Sequence, residues 1–359
     1  MDGATPQPEA MTPAEETAAA VALVYCTDAE PGIRRSGTAA RFDYHGPNGR
    51  RVADPVTLDR IRALAIPPAW AEVWIAADPD AHLQATGKDA RGRKQYRYHP
   101  RWTSCRDEVK YGTLAAFARA LPRLRKAVEA DIGRRDLGRE RALATIVWLL
   151  DNTLIRVGSA AYARDNHSFG LTTFRDRHVR VEGATLRFAF RGKSGKEWRI
   201  RVTDRRIARA VKGMQDLPGQ QLFQYLDDAG ERRAITSQDV NAHLRAAAGG
   251  PFTSKHFRTW GGTVHAAVLL AATEVPEGVR ARRLAMNAVI DAVAARLGNT
   301  RSVCRTCYVH PAVAAHWEDG RLAGEIAGLR CRYRRAPAGL DRAELLVLRW
   351  LEELGDEQP

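Results

Sequence analysis

The spacing of apolar residues changes character near Asp107, and no one-layer architecture accommodates both halves of that change. From Val21 to about Cys105, Gly, Pro and Asp interrupt the chain every few residues, leaving runs that suit strands and turns better than long helices. Residues 40–44 and 72–75 are the clearest strands. Beyond Asp107 the period is helical. Leu143, Ile146, Val147, Leu150 and Leu154 form one stripe, with a helix end predicted at Gly158. Met286, Val289, Ile290, Val293 and Leu297 form another, closed by Gly298. Between them Leu186, Phe188 and Phe190, then Trp198, Ile200 and Val202, alternate about Gly192-Lys193-Ser194-Gly195, which predicts a β-hairpin inserted among helices.

The fold class is therefore α+β. We expect a disordered leader over 1–20, where Pro, Ala, Thr and Glu recur without period. A small β-rich N-terminal domain over 21–105 follows, then a mainly α-helical domain over 106–359 with the hairpin near 185–202. Trp317, Leu345, Leu346, Leu348, Trp350 and Leu351 predict a helical extension over 312–359 that covers the segment before it.

Charge narrows the partner. The 359 residues hold 56 Lys+Arg against 42 Asp+Glu, a formal net charge of +14. Such a field favours polyanions without choosing among DNA, RNA and an anionic membrane, and an inert basic surface also satisfies it. Five scattered cysteines, an odd number, make poor material for a disulfide framework and suit a reducing cytoplasm. Met1 to Thr17 carries acids where a secretory signal carries bases, and the apolar run Ala18 to Tyr25 is too short to span a bilayer, so neither export nor a membrane anchor is expected. Cys304, Cys307, His310 and Cys331 are poorly spaced for zinc; no metal site is expected.

Four residues could carry chemistry, each with a plainer reading beside it. Arg156 falls opposite the Leu143 to Leu154 stripe, off the core, where an arginine also serves the dipole of a helix C-terminus. Arg258 falls in the expected first turn of a helix with the stripe Phe257, Trp260, Gly261, Val264 and Val268. A cation there opposes the helix dipole unless an anion such as phosphate docks beside it, or a nearby carboxylate pairs with it. Lys193, at the hairpin tip, is either a solvated turn residue or an ammonium held out on a stiff arm. Tyr308 lies in a short segment that starts after a plausible N-cap, Thr300, and stops near Pro311; most tyrosines in such places are packing residues.

The order of these residues, with the motifs around them, resembles the small type IB DNA topoisomerases of bacteria and large DNA viruses. The motifs are Ile66-Pro67-Pro68-Ala69-Trp70, the block from Gly87 to His99, Arg156-Val157-Gly158 and the run from Asn166 to Thr173. Gly192-Lys193, the run from Lys255 to Trp260, Leu297 to Thr300, and Tyr308-Val309-His310-Pro311 complete them. The resemblance implies Tyr308 as nucleophile, Arg156 and Arg258 as phosphate-binding arginines, Lys193 as general acid and Asn299 as a fifth member, Asn marking the bacterial branch. It also implies DNA contacts from Gln95, Tyr96 and Tyr98, among Arg93 and Lys94, although a basic solvated strand with tyrosines packed inward fits those residues too. Ser159-Ala160 and Cys307 depart from the usual Asn-Glu and Ser.

The implied activity is relaxation of supercoiled duplex DNA through a 3′-phosphotyrosyl bond, without ATP, metal or other cofactor, by a monomer clamped around the duplex in a bacterial cytoplasm or nucleoid. Two guanidinium groups can neutralise charge on a phosphate in transit, and a lysine can protonate the departing oxygen. Tyrosine recombinases share that chemistry, but they typically carry His where Lys255 stands. A non-catalytic DNA-binding protein would satisfy the charge while leaving the five-residue set unexplained.

Overall fold

A computed structural model describes residues 12–38 and 41–356, which divide into two compact units, Met1–Gly112 and Thr113–Pro359. The leader expectation over residues 1–11 falls outside the described residues. Its remainder is corrected: Pro13–Ala20 is a helix, α1, because Thr12 and Glu15 cap each other reciprocally, and Ala18 is fully buried.

In the first unit α1 precedes β1 (Ile33–Thr38), β2 (Arg41–His45), α2 (Pro55–Ala63), β3 (Ala71–Ile75), β4 (Leu83–Lys88), β5 (Lys94–Tyr98) and α3 (Pro100–Gly112). The strands form one antiparallel sheet in the order β2-β1-β3-β4-β5, which leaves β5 at an edge. Ile33, Val73, Ile75 and Ala85 pack with Ile61 of α2, while Trp74 and Leu83 pack with Cys26. The sequence reading changes domain at 105/106; the chain contacts instead keep all of α3 with the first unit.

The second unit begins with α4 (Leu114–Ile132), α5 (Arg139–Thr153) and α6 (Ala160–Asn166), followed by β6 (Val179–Glu182), β7 (Thr185–Arg191) and β8 (Glu197–Thr203). Next come α7 (Arg205–Gln215), the short pair β9 (Gln224–Leu226) and β10 (Arg232–Ala234), and α8 (Ser237–Ala248). The chain continues through α9 (Ser254–Ala271), α10 (Val279–Leu297), α11 (Arg301–Cys307), α12 (Pro311–Glu318), α13 (Leu322–Arg332) and α14 (Arg342–Asp356). The α5 stripe is buried as expected, but the helix is central: from Arg141 to Leu150 every residue except Trp148 is buried. The hairpin pairs in the expected register, Leu186 with Val202 and Phe190 with Trp198.

Three helix expectations are corrected. First, α5 ends at Thr153 and not at Gly158, because Leu154 turns into the left-handed region at φ 56°. Second, α9 buries Phe257 and Trp260 of the expected stripe, but beyond them it buries Thr263, Ala266 and Leu270 and leaves Val268 44% exposed, so its inward face is rotated from the prediction there. Third, the contacts of α12, α13 and α14 with the rest of the unit are mainly with α9 and α4 and not with α11, the helix that leads into the tyrosine.

Candidate active site

The loop after α5 sets the first arginine. With the helix ended, Arg156 lies on non-helical backbone whose carbonyl accepts from Leu171 N at 2.9 Å, while Val157 O accepts from Thr172 N at 2.7 Å. This crossing needs Gly170, where an added Cβ would lie 2.6 Å from both Arg156 O and Gly158 N. The same loop reaches the hairpin, since Phe169 N donates to Arg191 O at 2.7 Å. The run from Asn166 to Thr173 therefore ties Arg156 to the strand that carries Lys193.

Arg258 is 3% exposed, on the second turn of α9 and not at its start. The residue is thus set about one turn further along the helix than expected. Its guanidinium donates to Leu154 O and, at 2.7 Å, to Leu297 O. Both carbonyls end helices, so two negative dipole ends compensate the buried cation. No carboxylate pairs with it among the described residues. Burial, then the nearby charge of Arg156, brings its pKa down to about 10. Its Nε remains buried without a hydrogen-bond partner.

Tyr308 caps α11, which Thr300 starts as predicted, and its ring lies 4.9 Å from the Arg258 guanidinium carbon. Burial raises the phenol, but the charges of Arg258, Arg156 and Lys255 outweigh it and hold the group below its usual value. Arg156 donates to Asn299 Oδ1, and Asn299 Nδ2 is buried without a partner. The structure thus brings together Arg156, Arg258, Asn299 and Tyr308, with two N–H donors unsatisfied. Such orphaned donors are costly unless a ligand completes them.

Lys193 stands apart. It is exposed at the hairpin tip, its ammonium 5.9 Å from the Tyr162 ring. The arm itself is seated by Trp198, which fills the space beside Gly298: a Cβ there would lie 1.8 Å from the indole. On the open face of the sheet, Arg180 pairs with Arg187 and Arg187 with Arg201. Like charges directly opposite are destabilising, and among these only Arg187 has a carboxylate among the described residues, Glu182 at 2.7 Å.

Sequence reasoning missed two positioning residues. Gly262 lets α9 approach the tyrosine turn, because an added Cβ would fall 2.5 Å from Tyr308 O. Thr263, fully buried, donates to Tyr308 O at 3.5 Å and accepts from His310 N at 3.1 Å. The signal was available: Gly261-Gly262 inside a helix marks close backbone approach.

In the first unit β5 shows Tyr96 and Tyr98 to solvent, 45% and 39% exposed, their rings stacked 6.0 Å apart. The inward packing considered above does not occur. Gln95 lies on the other face, where its amide donates to Asp89 at 3.0 Å. Arg93 pairs with that same carboxylate at 2.7 Å, and Lys94 with Asp28 at 2.5 Å. The hydrogen bonds from Arg93 hold the Asp89 carboxyl down at about 2.

The chain is similar to known proteins along most of its length. Residues 99–321 match the catalytic core of eukaryotic DNA topoisomerase I, and residues 41–89 match the N-terminal domain of bacterial DNA topoisomerase IB. DNA topoisomerase 1B of Acanthamoeba polyphaga mimivirus is 30% identical over 285 residues, spanning 77% of this chain and 85% of the viral protein. DNA topoisomerase 1 of Mycosarcoma maydis is 26% identical over 178 residues, 44% of this chain and 17% of that protein.

Proposed function

The chain belongs to the type IB DNA topoisomerase family, and we propose that Tyr308 is the nucleophile with which it opens and reseals one strand of duplex DNA. The observation that carries this assignment is the buried Arg258 guanidinium beside the Tyr308 ring, with Arg156, hydrogen-bonded to Asn299, close enough for its charge to act on both.

In the proposed step the phenol loses its proton to water and Tyr308 Oη forms a bond to the phosphorus. The bond from phosphorus to the 5′-oxygen breaks, leaving a 3′-phosphotyrosyl ester and a 5′-hydroxyl. Arg156 and Arg258 neutralise the charge that builds on the non-bridging oxygens, and Asn299 Nδ2 supplies a further donor. Lys193 protonates the leaving 5′-oxygen, with Arg156 assisting. An alkoxide leaves poorly without that proton. The ester keeps the energy of the broken bond, so reversal needs no nucleotide. Two guanidinium groups supply the positive charge that a metal supplies elsewhere, so activity should survive a chelator.

For DNA binding we propose Tyr96 and Tyr98 as base or backbone contacts, with Gln95, Arg93 and Lys94 exchanging their present carboxylates for DNA. The Arg180, Arg187 and Arg201 row supports a phosphate track on the second unit. A monomer that grips the duplex with both units fits the charge of +14. The bacterial match over residues 41–89 and five free cysteines favour a bacterial cytoplasm.

Plasmid relaxation with EDTA and without ATP tests the reading. Wild type should relax the plasmid fully and Tyr308→Phe should not. Relaxation by the mutant would remove Tyr308 from the role.

A further inference from the structure

Helix α14 lies beyond the matched catalytic core, residues 99–321, yet one of its side chains reaches the interior behind the reaction centre. Glu344 is 8% exposed. Its oxygens accept from Arg125 Nη1 at 2.7 Å and Nη2 at 2.8 Å, and Oε1 also accepts from Trp260 Nε1 at 3.0 Å. The other edge of Arg125 holds Asp151 through Nε at 2.7 Å and Nη2 at 2.8 Å. A carboxylate from α14 and another from α5 thus share one guanidinium from α4, and an indole from α9 completes the group.

The placement matters more than the pairing. Asp151 stands three residues before Leu154, whose carbonyl receives Arg258. Trp260 stands two residues after Arg258 on α9. The cluster therefore links α5, which supplies one of the two carbonyls bound to the guanidinium, with α9, which carries it, and stands within about one turn of Leu154 on the first and of Arg258 on the second. Burial pushes the Asp151 carboxyl up, whereas at Glu344 burial is outweighed by Arg125, which holds that carboxyl low. A buried ion cluster is often no more stable than a well-packed apolar replacement, so a geometric role accounts better for its presence than stability does.

We infer that Glu344 is a positioning residue for the cleavage reaction: through Arg125, Asp151 and Trp260 it sets Arg258 against Tyr308 without touching DNA. This rests on the roles proposed above for Arg258 and Tyr308. A misplacement of about 1 Å at a reacting group costs about 100-fold in rate, so a strut one turn away suffices to matter.

The test uses the full-length chain with Glu344→Ala, Glu344→Gln, Trp260→Phe and Tyr308→Phe. It measures single-turnover cleavage of a duplex whose cut strand is lost on cleavage, across pH, beside equilibrium duplex affinity and thermal unfolding. Glu344→Ala should cleave about 10- to 100-fold more slowly with affinity within about 2-fold of wild type. Its rise of rate with pH should move upward, because Tyr308 is faced by Arg258 and Lys255 from α9 and by Arg156 from the loop, and Arg258 would no longer sit fixed beside it. Glu344→Gln, which keeps an acceptor for Trp260, should recover part of the rate. Should Glu344→Ala fail to fold, Glu344→Gln and Trp260→Phe must still show the slower cleavage and the moved profile. Wild-type rates and profiles in the folded variants overturn the inference, as does a rate loss matching only the loss of folded protein. Cleavage by Tyr308→Phe would instead overturn the nucleophile assignment on which the inference rests.

Discussion

Arg258 and Lys193 serve one proposed reaction from opposite environments. The arginine is 3% exposed, bound to two helix-end carbonyls and fixed beside Tyr308. The lysine is exposed on a hairpin tip, with an aromatic ring 5.9 Å away. Charge stabilisation gains most from donors that need no reorganisation, which explains a deeply built arginine. Proton delivery needs a group that follows the leaving oxygen, which explains an arm seated at its base by Trp198 and free at its end. The first part is built into the fold, and in the proposed reaction DNA places the second.

Mutations at the rigid side should cost most. Arg258→Ala should lower single-turnover cleavage by about 1,000-fold or more, the upper range for loss of one preorganised donor. It should also move the rise of rate with pH upward, since Tyr308 loses the charge that holds it below its usual value. At the arm, Lys193→Ala should slow cleavage by about 100-fold, and a duplex with sulfur in place of the leaving 5′-oxygen should restore the rate, because a thiolate leaves without a proton. Equal losses on oxygen and sulfur substrates would break the contrast.

Gly262→Ala sharpens the rigid side alone. Its Cβ must displace Tyr308 backbone, so cleavage should fall about 10-fold or more while duplex affinity holds. The smallest effect belongs to the first unit: Tyr96→Ala should weaken duplex binding about 10-fold, as one lost aromatic contact would, and leave cleavage at saturation unchanged.

What the sequence disclosed follows the same division. The hairpin, the Thr300 cap and the two apolar stripes are local patterns, and local propensity decides them. Burial of Arg258 was not legible, because it depends on α5 and α10 ending at one point in space. The early end of α5 has the same origin: Leu154 adopts φ 56° where its carbonyl receives that arginine. Helical arithmetic carried Arg156 onto a turn that does not exist. The tyrosines of β5 were read without knowing which face of the strand is covered, and the inward alternative failed because Tyr96 and Tyr98 share the exposed face with Lys94. Glu344 gave no sequence signal, since its partners Arg125 and Trp260 lie on two other helices.

Mapping the covalent adduct tests the central claim most directly. A duplex nicked so that the cut strand departs should leave a 3′-phosphoryl peptide whose modified residue, read by mass spectrometry after proteolysis, is Tyr308. An adduct on any other side chain, or one of equal yield from Tyr308→Phe, would contradict the account.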